Sequence, residues 1–473
     1  MSAGTAAAVL LSQCSSDAPG EDTSVPTSGP VQFQKISSNN GLLRLELEAK
    51  PQQVQIGDIN ANLLAYNGQV PGPLLEASPG DRVQIRFTNG LNQPTNIHYH
   101  GLHISPDVDN VFLEISPGEQ HTYEFQIPES HPAGTFWYHP HKHGLVAEQL
   151  FGGLAGLFII RGQLDKIPEI KAAQESFVVL KDFALDRSGN IADTGHMAAM
   201  TGRAGGLLTA SGQINPEMPI KRGGLTRLRL LNASPSRFYR LSLEDHLMHL
   251  IATDGGAIAS PIELSDVVLA PGERVEVLVQ GNQRPGSYRL INQPFNPAQG
   301  GMMGGMGGNQ SSDRSETVAT LIYRGETAAA SLPSELIPVE SLPEPSETRQ
   351  FALNHGMGGM MGGGMAFLIN GKSFDPSRID TQVRLDAVED WEITNTGSMA
   401  HPFHVHTNKF QIVSQNGQSV PYAAWKDVVS VSPGESVRIR MAFRDYRGKT
   451  VYHCHVLDHE DRGMMGILEI QQA

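Results

Sequence analysis

The chain of 473 residues contains only two cysteines, Cys14 and Cys454, and this scarcity excludes a disulfide framework. It contains no run of 18 or more apolar residues, so no membrane-spanning helix is expected. Excess positive charge is missing too. A formal net charge of −14 argues against nucleic acid or anionic lipid as the main partner. Aromatic residues are scarce at 6%, whereas Gly and Pro are plentiful at 50 and 30. High turn content of this kind suits many short strands better than long helices. An apolar share of 39% and a charged share of 18% are ordinary for a folded chain. The length exceeds that at which one hydrophobic core keeps growing, so two or three domains are expected.

The basic start of an export signal is also absent, since the first Lys or Arg is Lys35. Yet an apolar stretch from Ala6 to Leu11, followed by Ser, Asp, Pro and Gly to about Pro30, resembles the back half of such a signal and a flexible tether. Export to the periplasm or cell surface is therefore expected, with residues 1–30 as a truncated leader and tether; a plain disordered tail is the alternative. Cys14, after Leu11-Ser12-Gln13, faintly resembles a lipid-attachment site, and Gln13 fits such a site poorly.

Strand signals fill the rest. Leu43, Leu45 and Leu47 alternate with charged residues, as do Val83, Ile85 and Phe87, Leu228 and Leu230, and Val437, Ile439 and Met441. This period of two predicts half-buried antiparallel strands. A turn device precedes such runs: Pro79-Gly80-Asp81, Pro117-Gly118-Glu119, Pro271-Gly272-Glu273 and Pro433-Gly434-Glu435. Pro presets the first central position of a turn and Gly supplies a positive φ at the second. Asn67-Gly68 and Asn370-Gly371 add hairpin signals. The recurrence predicts an all-β chain built from a repeated β-sandwich. Composition divides it into units at 31–162, 163–324 and 351–473, with an Ala-, Ser-, Pro- and Glu-rich linker at 325–350. Two Gly/Met segments, 301–308 and 356–365, are too glycine-rich for stable strands or helices.

Ten of the 18 histidines fall into four tight clusters, two in the first unit and two in the third. On a strand, residues i and i+2 share a face. His98 and His100, His139 and His141, His404 and His406, and His453 and His455 thus present eight imidazoles in side-by-side pairs. Eight are too many for one metal and suit a cluster of ions. The same parity turns Cys454 away from His453 and His455. It places His401, an odd offset from His404, on the other side as well, although Pro402 loosens the geometry. His459 and Met464 follow in a turn able to fold back on Cys454. Two His, one Cys and a weak thioether form the ligand set of a blue-copper electron-transfer site. An electron arriving there crosses to the cluster through a few bonds of one strand. Four copper ions would deliver the four electrons that turn dioxygen into two waters. One His-x-His pair alone would equally suit a zinc site, a core or a surface. Four pairs, one wrapped around a cysteine, are very hard to obtain by chance.

Four runs carry a family resemblance: His-Tyr-His-Gly-Leu-His at His98, Trp-Tyr-His-Pro-His at Trp137, His-Pro-Phe-His-Val-His at His401, and Tyr-His-Cys-His-Val-Leu-Asp-His-Glu-Asp-Arg-Gly-Met at Tyr452. They closely resemble the multicopper oxidases, above all bacterial three-domain laccase-like and copper-tolerance oxidases, and the resemblance covers nearly all of the chain after about residue 40. It implies three consecutive cupredoxin-like Greek-key sandwiches and four copper ions: one type 1, one type 2 and a type 3 pair. By motif, His401, Cys454, His459 and Met464 would hold the type 1 ion, His98 and His404 the type 2 ion. His100, His139, His141, His406, His453 and His455 would hold the type 3 pair. The middle domain would be structural, with Leu230-Leu231-Asn232-Ala233 and Thr253-Asp254-Gly255-Gly256 as family-like stretches. Asp109 and Glu460 match family carboxylates near the type 2 ion and the cluster. A carboxylate on a proton path suits a reaction that consumes protons, and the alternative is a solvated surface charge.

The resemblance places electron entry at the edge of His459, with phenols, aromatic amines or Cu(I) as donors and dioxygen as acceptor. Thioethers suit Cu(I), and the Gly/Met segments carry Met302, Met303, Met306, Met357, Met360, Met361 and Met365. Met399 matches a methionine of cuprous-oxidising relatives, whereas Gly397 stands where they carry an aspartate. Flexible loops with incidental Met are the plain alternative. A copper-sequestering protein with secondary turnover is a second expectation. A two-domain-style nitrite reductase would need fewer His clusters. A monomer is expected.

Overall fold

In the computed structural model, which describes residues 27–297, 314–357 and 365–472, alternation in sequence becomes alternation in burial. In the strand Leu42–Ile56, Leu43, Leu45, Leu47 and Ala49 point inward while Arg44, Glu46 and Glu48 face outward or lie partly covered. Val83, Ile85 and Phe87 do the same in Arg82–Asn89, as do Val437, Ile439 and Met441 in Ser436–Ala442. The turns follow their chemistry: Gly80, Gly118, Gly272 and Gly434 all take φ between +78 and +88, a region that a Cβ disfavours. At Asn67-Gly68 and Asn370-Gly371 both residues have positive φ, as a tight hairpin turn requires.

Six sheets stack into three sandwiches. In the first, a five-stranded sheet ends at the strand His98–His100, beside Gly134–His139, and packs on a four-stranded sheet. Leu47, Phe87, Tyr123 and Phe158 fill its core. The middle sandwich pairs a six-stranded and a five-stranded sheet around Leu228, Leu241 and Val277. In the third, the sheet containing Thr381–Arg384, Met465–Gln471, Gly448–Cys454, His401–Val405 and Val428–Val431 packs on a larger sheet around Trp391 and Phe403. Helices among the described residues are short, for example Val146–Gly152, Gly195–Thr201 and Leu457–Asp461.

Two expectations need correction. The alternating strands are not all antiparallel: Leu42–Ile56 pairs in parallel with Arg82–Asn89, and Leu225–Asn232 with Gln174–Phe183. Alternation reports one covered face and carries no information on strand direction. Nor is Leu225–Asn232 half-buried, since all eight of its residues are buried. Its polar face, Arg227 and Arg229, meets Glu276, Glu175 and Asp165, and Arg229 also donates to Thr135 Oγ of the first sandwich at 2.9 Å. Buried charge is tolerated only when paired and hydrogen-bonded, and here the pairing seals the seam between first and middle sandwiches.

Candidate metal centres

Strand register brings the histidines together. His98 lies opposite His139 in the first sandwich, and His404 opposite His453 in the third. The same ladder sets Phe403 opposite Cys454. Cys454 therefore turns into the sandwich core beside Phe403 and Met464, while His453 turns out towards the first sandwich. There the two sets interleave. His98 stacks on His406 with ring centroids 3.7 Å apart, and His100 stacks on His404 at 3.9 Å.

The eight imidazoles crowd together in overlapping groups, among them His98–His100–His139, His98–His404–His406 and His141–His406–His453. His98 Nε2 and His404 Nε2 are 3.4 Å apart. His453 Nε2 is 3.1 Å from His141 Nε2 and 3.0 Å from His406 Nε2. His100 Nδ1 is 3.4 Å from His139 Nε2, with the His455 ring centroid 5.0 Å from that of His100 and 5.7 Å from that of His139. A separate trio occupies the other face of the strand. Cys454 Sγ lies 3.5 Å from His401 Nδ1 and 3.8 Å from His459 Nδ1, and those nitrogens are 3.3 Å apart. Met464 is fully buried, and its N–H donates to His459 O at 2.9 Å.

Burial, reinforced mostly by neighbouring imidazoles, lowers the basicity of all ten rings, with His139 and His401 at about 3 and His453 at about 4. The rings are neutral, so each holds one N–H and one lone pair. On five of the rings the outer nitrogen has an acceptor that fixes the tautomer. His139 donates through Nδ1 to Pro140 O, His404 through Nδ1 to Asp427 O, His453 through Nδ1 to Cys454 O, and His100 through Nε2 to Asp427 Oδ1. His98 Nδ1 lies 2.8 Å from Asp109 Oδ1. Between His98 and His404, and between His100 and His139, the inward nitrogens are then lone pairs 3.4 Å apart with no proton between them, an arrangement that cations relieve. Both nitrogens of His455 lack a protein partner. Burial also pushes the Cys454 thiol well up, so a thiolate there requires a metal beside it. The donor set fits copper: thiolate and imidazole at one centre, imidazoles with hydrogen-bonded outer nitrogens at the other.

Asp109 and Glu460 are both buried, so neither is a solvated surface charge. Asp109 bridges His98 and, at 3.3 Å, His406 Nδ1, and accepts the Tyr99 N–H. Burial raises its carboxyl to about 7 against that hydrogen bond. Glu460 lies 3.3 Å from His453 Nδ1 and 3.7 Å from His141 Nδ1, and burial pushes its carboxyl well up.

The His459 edge is not open. Its Nε2 lies 3.2 Å from Met200 O of the helix Gly195–Thr201 in the middle sandwich, and its ring stacks on Phe367 at 3.9 Å. Met399 is buried near His401, and Met365 is partly buried. A Cβ added at Gly397 would lie 3.1 Å from His355 Nδ1. Met302, Met303, Met306, Met360 and Met361, like Cys14, lie outside the described residues, as does the side chain of Met357. Sequence reasoning missed Asp427, Arg274, Phe367 and the Met200 carbonyl, because none belongs to a repeated motif.

Multicopper oxidase family models match residues 48–165, 175–326 and 344–473. A multicopper oxidase of Staphylococcus haemolyticus is 30% identical over 453 residues, covering 93% of this chain and 91% of that one. The structure of a Campylobacter jejuni multicopper oxidase, described as a metallo-oxidase, superposes with a TM-score of 0.84 at 32% identity, covering 95% and 96%. A laccase from Pediococcus acidilactici superposes at 0.80 with 28% identity, covering 95% and 94%. The three sandwiches are accordingly cupredoxin-like domains. The chain belongs to the multicopper oxidase family, copper-dependent oxidoreductases that take electrons from a reducing substrate and use oxygen as acceptor.

Proposed function

We propose that this chain takes single electrons from a small donor at a type 1 copper and reduces dioxygen to water at a trinuclear copper cluster. His401, Cys454, His459 and Met464 hold the first ion. The His98–His404 pair holds the type 2 ion, and the triads His141, His406, His453 and His100, His139, His455 hold the type 3 pair. Bound copper supplies the one-electron steps and the store of four electrons that dioxygen needs. The division at 31–162, 163–324, 325–350 and 351–473, export, and a monomeric state belong to the same reading.

The observation that carries it is the split at Cys454. Its sulfur faces one donor set, while its covalent neighbours His453 and His455 face the other. The chain's own groups do the rest. Asp109 and Glu460 stand beside cluster imidazoles with carboxyls raised by burial, placed to hold and pass protons that oxygen reduction consumes. The first and third domains close around the cluster and exclude bulk water, since all eight imidazoles are buried. Phenols, aromatic amines and Cu(I) are the donor classes. The Met399 and Met365 thioethers favour a cuprous donor, and Gly397 withholds the carboxylate that would complete such a site.

The test is metal analysis, visible absorption and oxygen uptake on copper-loaded protein. Four coppers per chain, an intense thiolate band in the red, and uptake with Cu(I) or a phenol are expected. Cys454→Ser should abolish the band and slow uptake at least about a hundredfold, roughly 2.7 kcal/mol of barrier. A colourless wild type with fewer than four coppers sinks the reading. Copper bound with no uptake from either donor points instead to sequestration.

A further inference from the structure

The middle domain supplies no imidazole to the cluster, yet one of its side chains reaches the cluster wall. Arg274 is fully buried at the start of the strand Arg274–Gln280, directly after the turn Pro271-Gly272-Glu273. Its guanidinium uses all five N–H donors. Nη1 and Nη2 form a fork on Asp427 Oδ1 and Oδ2, both at 2.6 Å. The remaining donors reach Thr135 O at 3.0 Å, Gly272 O at 3.2 Å and Asp254 O at 2.9 Å. One side chain thereby bonds to groups of the first domain (Thr135), its own domain (Gly272, Asp254) and the third domain (Asp427).

Asp427 is the group that matters for the cluster. Its Oδ1 accepts Nε2–H of His100 at 3.0 Å, and its backbone carbonyl accepts Nδ1–H of His404 at 2.7 Å. Those two rings come from different domains and stack at 3.9 Å. The carbonyl is held by the backbone, since it also accepts the Val405 N–H at 3.1 Å, but His100 would not be held by a buried carboxylate with two free torsions alone. The planar fork of Arg274 fixes its plane, which a lysine ammonium cannot do. The packing confirms how tightly the fork is held. Gly101, at φ +85, lies so close that a Cβ there would overlap Arg274 Nη2 and Asp427 Oδ2. Gly272, also at φ +85, sits where a Cβ would come within 2.9 Å of the His455 ring. The turn before Arg274 therefore presses on a third cluster imidazole.

We infer that Arg274 is a positioning residue for oxygen reduction: through the Asp427 carboxylate it sets the orientation of His100, and through the His100–His404 stack that of His404, so that the middle domain fixes the geometry of a cluster to which it gives no ligand. This rests on the assignment of those histidines to the cluster made above.

Arg274→Lys tests it, since the charge stays and the fork is lost. The thiolate band should keep its intensity, and the rate at which a donor bleaches it without oxygen should stay within about twofold. The type 2 electron paramagnetic resonance signal should shift or vanish, and copper per chain should fall. Reoxidation by oxygen should slow about tenfold or more, the range seen when partners behind metal ligands are removed. Because Arg274→Lys can leave the fold unstable, the double variant Arg274→Gln with Asp427→Asn, which removes both buried charges together, should show the same selective change. An unchanged type 2 signal with normal reoxidation in either variant overturns the inference. So does loss of the thiolate band in step with the cluster signal, or failure of both variants to fold by circular dichroism, because either marks Arg274 as a structural strut. A wild type lacking the thiolate band or four coppers would overturn the oxidase reading itself, whatever the variants do.

Discussion

At the scale of single residues, the chain relies on buried imidazoles kept neutral by their partners. His131 shows this away from the metal centres. Its Nε2 accepts the His103 N–H at 3.1 Å and its Nδ1–H donates to Pro132 O at 2.9 Å. A second proton would face a donor, and burial lowers its pKa to about 3. Between pH 6.5 and about 3 the unfolded chain therefore binds a proton here that the folded chain does not. Stability falls as pH drops through that window, by up to about 1.4 kcal/mol per pH unit for one proton. His131→Gln, which keeps an acceptor and a donor without titrating, should flatten the acid limb of a denaturant-unfolding series by about one proton. An unchanged slope would show that His131 is not part of it. The gathering of the clustered histidines was legible at this scale because parity and clustering are local. Asp427 and Arg274 were not, since 153 positions separate the partners of their ion pair.

At the scale of elements, two short helices work through neighbours from other domains. Val146–Gly152 lacks a local side-chain cap. Asp461 of the third domain takes that place, accepting N–H groups of Gly144 at 2.7 Å, Val146 at 3.3 Å and Ala147 at 2.9 Å. Asp461→Ala should lower stability by about 1–2 kcal/mol, the usual effect of losing an N-cap, seen as an earlier unfolding transition in calorimetry. Gly195–Thr201 covers the His459 edge through Met200 O. Replacing it with a short Gly/Ser linker should raise kcat/KM for a bulky phenol roughly tenfold, about 1.4 kcal/mol, and alter Cu(I) oxidation much less. Oxygen-uptake rates that fall for both donors would place electron entry elsewhere. The alternating strands and Pro-Gly turns were readable because each is a local rule. Strand direction was not, and the burial of Arg227 and Arg229 depended on another sandwich arriving above them.

At the scale of the whole molecule, the first and third domains meet at the clustered imidazoles. The cluster imidazoles divide between first and third domains, as His98 with His406 and His100 with His404 show. Metal bound there would tie the two domains together and stabilise only the folded chain. Chelation should lower the unfolding temperature. The loss is about 4 kcal/mol where copper had been present at a thousand times its Kd, and readdition should restore the transition. Melting that is indifferent to copper would mean that the domains close without it.

Sequence alone determined the donor inventory: which residues carry thiolate, thioether and imidazole, and which of them strand parity sends to opposite faces around Cys454. It did so because parity and turn chemistry act over two or three residues. Only the tertiary structure decided how close the imidazoles of the first and third domains come, that Asp109 and Glu460 are buried, that Met200 O covers His459, and that Arg274 reaches Asp427. Those relations join residues from separate domains. They exist only once three sandwiches have docked, and no local pattern in the chain encodes how close the docked surfaces come.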